Sequence, residues 1–115
     1  MKISVVDAEF PLAVGQEYKL IFDIGAELKE KVRKGAHIDW GKQNTLNLNV
    51  SIFTGNESRL SSRIFHFAMQ KNGDGATGEC LITPLKAGGV ELEFIISEQR
   101  TLEVLQEYTF PIPTI

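Results

Sequence analysis

The stretch Glu79–Ser97, ECLITPLKAGGVELEFIIS, decides the fold class. Cys80–Thr83 is a short apolar run, Pro84–Gly89 carries turn chemistry, and Val90, Leu92, Phe94 and Ile96 then alternate with Glu91, Glu93, Ile95 and Ser97. A period of two places one set of side chains on a buried face and the other on the opposite face. The segment therefore predicts strand, tight turn, strand, a central hairpin for which the other alternating segments would serve as partners.

Working outward, the same alternation recurs. Lys2–Asp7 opens as a strand with Ile3 and Val5 on one side, and Pro11 argues against a long central strand here. In Glu17–Ile24, Tyr18, Leu20, Phe22 and Ile24 point one way while Lys19, Ile21 and Asp23 point the other. Thr45–Thr54 is the most regular strand, with Leu46, Leu48, Val50 and Ile52 inward. In Ser62–Gln70, Phe65, Phe67 and Met69 form the core side and Ile64, His66 and Ala68 the other. Asn72–Gly75 is a turn signal. Leu102–Ile112 ends in Pro111 and Pro113, as an edge strand does, and Val104-Leu105 disturbs its alternation in the manner of a bulge.

Only Gly25–Gly35 breaks the pattern. Ile24, Leu28 and Val32 recur at four-residue spacing among charges, which allows a short amphipathic helix in 25–35 or else an irregular loop continuing through Asn44. About seven short alternating strands in a chain of this length predict an all-β fold, an immunoglobulin-like two-sheet antiparallel sandwich forming a single domain over residues 1–115. A small barrel is the alternative. The inter-sheet cysteine pair of antibody domains has no equivalent, because Cys80 is the only cysteine.

Leu81–Gly88 (LITPLKAG), followed by an alternating strand and preceded by Leu46–Thr54, resembles the immunoglobulin-like accessory domains of bacterial multidomain proteins, which sit beside protease or signalling modules. The resemblance spans about the C-terminal two-thirds of the chain, and Gly25–Asn44 has no counterpart in it. It implies an interaction or spacer element and carries over no catalytic residue.

Composition narrows the function classes. The 115 residues carry 12 Lys and Arg against 15 Asp and Glu, a net charge of −3, which disfavours a general binder of nucleic-acid backbone. The basic run Lys29–Lys34 is local and lacks interleaved aromatics, so a solvated face accounts for it. No apolar run approaches the ~20 residues of a membrane span. The start MKISVVDAEF lacks a signal-peptide core, and one lone cysteine suits a reducing compartment, so a cytoplasmic location is expected.

The catalytic and metal patterns are weak. His66 and Cys80 would need to meet to form a nucleophile pair, and an apolar strand next to Glu79 suppresses thiolate formation. Two histidines and one cysteine match no zinc spacing, and Asn72–Gly75 lacks the later ligands of a calcium loop, so neither metal nor cofactor is expected. His37, Asp39 and Trp40 could anchor and stack a small ligand or sugar, or could simply plug one end of the sandwich.

Ile21, Phe53 and Ile95 are apolar where the alternation calls for polar residues. Immunoglobulin strand order would place Phe53 and Ile95 on neighbouring strands, forming an outward apolar patch of the kind that meets a partner. Coverage by Leu28, Val32 and Trp40 of the 25–44 segment is the competing expectation. The expected function is thus non-catalytic: an interaction or spacer module whose partner is another protein or domain of the same complex, with homo-oligomerisation allowed.

Overall fold

The computed structural model describes residues 1–25, 28, 44–71, 73 and 75–115. Among these the chain is all-β, with eight strands: β1 (Lys2–Val5), β2 (Tyr18–Ile24), β3 (Thr45–Phe53), β4 (Ser58–Leu60), β5 (Ile64–Gln70), β6 (Ala76–Pro84), β7 (Val90–Glu98) and β8 (Val104–Ile112). They form two four-stranded sheets in the orders β1-β2-β6-β4 and β5-β3-β7-β8, and every strand pair is antiparallel.

Alternation builds the core. Leu20, Phe22, Ile24, Cys80 and Ile82 from the first sheet meet Leu46, Leu48, Val50, Ile52, Leu92, Phe94 and Ile96 from the second in one buried cluster. Phe22 is its aromatic hub, with its ring 5.0 Å from Phe65, 6.0 Å from Phe67 and 5.6 Å from Phe94. Edge-to-face geometry at the first two contacts sets positive ring edges against negative faces.

The expected central hairpin does not form. β6 and β7 are strands, but they lie in different sheets, and β6 pairs with β2 and β4 while β7 pairs with β3 and β8. Residues 85–89 form an arch over the end of the sandwich. Their polar groups are held by other elements: Leu85 N–H donates to Glu57 C=O (2.8 Å), Gly88 N–H to Thr114 C=O (3.0 Å) and Gly89 N–H to Thr114 Oγ1 (2.9 Å). Gly88 and Gly89 both take positive φ, 87° and 110°, a path that side-chain-bearing residues resist. The arch lets the apolar faces of β6 and β7 oppose each other across the core, whereas a hairpin would have put both on one sheet.

β4 is too short to show a period. The bulge expected in the last strand is present, because Ile96 faces Gln106 whereas Ser97 faces Val104, leaving Leu105 as the extra residue, fully buried. β8 is an edge strand, as its prolines imply, and its end is flanked by the parallel segment Leu12–Val14 through Leu12 N–H to Pro113 C=O and Val14 N–H to Ile115 C=O, both 2.9 Å. The helix expected over 25–35 falls outside the described residues except at Gly25 and Leu28, the latter buried in the core cluster.

Candidate interaction surface

The outward face of the β5-β3-β7-β8 sheet carries the least conventional side chains of the fold. Directly opposed residues on neighbouring strands share a face, with Cβ atoms ~5 Å apart. Ser51 of β3 is opposed by Ile64 of β5 on one side and Ile95 of β7 on the other, and Ile95 in turn by Glu107 of β8. The adjacent row is Phe53, Glu93 and Thr109. Phe53 and Ile95 are therefore diagonal neighbours on one surface, with Ile64 completing the patch across Ser51.

Grouping on adjacent strands sets this patch apart from singly exposed apolar residues such as Leu102 and Ile115. Ile64 is 60% exposed and Phe53 52%, while Ile95 is half-buried between its neighbours. A shallow cavity of about 170 Å³ opens between Ser51, Phe53, Arg63 and Ile64. Glu91, Glu93 and Glu107 make the β7–β8 side of this face acidic. In the next row, His66 Nδ1 lies 2.6 Å from Asn49 Oδ1, so the imidazole is held by a neighbour on the same face.

Ile21 does not belong to this patch. It lies on β2, in the other sheet, half-buried between Ser4 and Glu79. Ile64, conversely, escaped the sequence-based patch although the alternation had placed it with His66 and Ala68 on the non-core side. Strand neighbours are what join it to Phe53 and Ile95, and single-strand periodicity carries no such information. His37, Asp39 and Trp40, with the basic run 29–34, lie outside the described residues, and Leu28 is directed into the core.

A larger concavity of about 520 Å³ lies at the arch, lined by Glu57, Val90, Glu91, Pro111 and Ile112. One of its two carboxylates, that of Glu57, is engaged in bracing the loop: Glu57 accepts from Lys86 Nζ at 3.5 Å and from the Glu91 N–H at 3.1 Å.

The nucleophile pair is not assembled. Cys80 shares the inner face of its sheet with Leu20, whereas His66 points outward from the opposite sheet. Burial pushes the Cys80 thiol from an ordinary 9.0 up to about 11. Two pH units leave about a hundredfold less thiolate. Alkylation of the native protein at pH 8 is accordingly expected to run at least about a hundredfold slower than in denaturant; comparable rates would place the thiol in solvent. The sign for stability follows from the neutral thiol being favoured in the fold. Its contribution is complete below pH 9 and is lost as pH rises from about 9 to about 11.

No group of three or more His, Cys, Asp or Glu residues that could hold a metal ion occurs among the described residues. No helix among them is long and apolar enough to cross a membrane. No known protein family matches the chain, and no curated protein matches it in sequence.

Proposed function

We propose that this chain is a non-catalytic β-sandwich interaction module, working in the cytoplasm as part of a larger bacterial protein or complex. It binds another protein through the outer face of the β5-β3-β7-β8 sheet. The observation that carries this is the contiguous patch of Phe53, Ile64 and Ile95 on the outer face of a sheet whose other face packs on the core. Apolar groups of this size grouped on a soluble surface characterise contact sites. The acidic flank of Glu91, Glu93 and Glu107 favours a partner with an apolar anchor and basic residues beside it.

The same reading takes the sandwich as immunoglobulin-like. The neighbour orders β1-β2-β6-β4 and β5-β3-β7-β8 are compatible with the A-B-E-D and C′-C-F-G sheets of such domains. Here β4 precedes β5 in the chain, which inverts the usual sequence of D and C′.

Affinity capture from the source cell, with wild type beside Phe53→Asp/Ile95→Asp, tests the proposal. Both side chains face outward, so the variant should retain its unfolding midpoint. A protein retained by the wild type at least about tenfold over the variant, and binding the purified domain directly, is the expected result. Equal retention by both would exclude this face.

A further inference from the structure

We draw no further inference here: the strongest candidate, the concavity of about 520 Å³ at the arch between Glu57, Glu91, Pro111 and Pro113, carries nothing because its Glu57 carboxylate is taken up in bracing the loop and nothing in the structure shows what would occupy it.

Discussion

Phe22→Ala is expected to lower the unfolding free energy by about 3–5 kcal/mol, the range for deleting a buried phenylalanine. The side chain is fully buried, and its ring is the shared neighbour of Phe65, Phe67 and Phe94. Truncation therefore removes transfer free energy, leaves a cavity between the sheets, and breaks three aromatic contacts worth ~0.5–1.5 kcal/mol each beyond area. Phe65 and Phe67 stand on a strand whose inner face is half-covered, so their support is lost as well. Against the ~5–15 kcal/mol of a typical domain, this takes much of the total. Urea unfolding should show the midpoint falling with little change in slope. Phe22→Leu should cost less, because it keeps most of the volume. A loss below about 1 kcal/mol for Phe22→Ala would mean the two sheets do not meet at this ring.

The importance of Phe22 illustrates what a linear pattern can and cannot convey. Its inward direction was readable, because Tyr18, Leu20, Phe22 and Ile24 alternate with Lys19, Ile21 and Asp23. The same logic located β2, β3, β5, β7 and β8, and in the first four the faces they bury. Alternation reports the face of a strand but not its neighbours. The segment Glu79–Ser97 therefore yielded two correct strands and an incorrect hairpin, because a β-arch and a β-hairpin share the same pattern and the same Pro/Gly punctuation. What separates them is long-range: the claims of Glu57 and Thr114 on the backbone of residues 85–89. β4 was invisible for a different reason, since three residues cannot establish a period.

The candidate surface divides in the same way. Phe53 and Ile95 stood out as apolar residues in outward phase, and the β3–β7 register joins them. Ile21 satisfied the same test but lies on the other sheet, while Ile64 was overlooked although it borders Ser51. The edge character of β5 depends on strand order alone. Nothing within IFHFAMQ distinguishes an edge strand from a central one, and its lack of charge would ordinarily favour a central position.

Gly78→Val should be nearly as damaging as Phe22→Ala, although valine is the better strand former. Gly78 is buried on β6 directly opposite Phe22, and a Cβ there would run into the tip of the Phe22 ring. A ring tip at a protein surface could swing aside, but this one is held by Phe65, Phe67 and Phe94. Overpacking of this kind costs ~1–3 kcal/mol, and the branched valine belongs at or above the upper end. Glycine is thus present in mid-strand because the phenylalanine occupies the space its side chain would need. The two positions should consequently be coupled. In a Phe22→Leu background, Gly78→Ala should lose most of its cost, giving a coupling of about 1 kcal/mol or more in a double-mutant cycle. Additive losses would mean that the glycine is required by the backbone of β6 rather than by the ring lying across it.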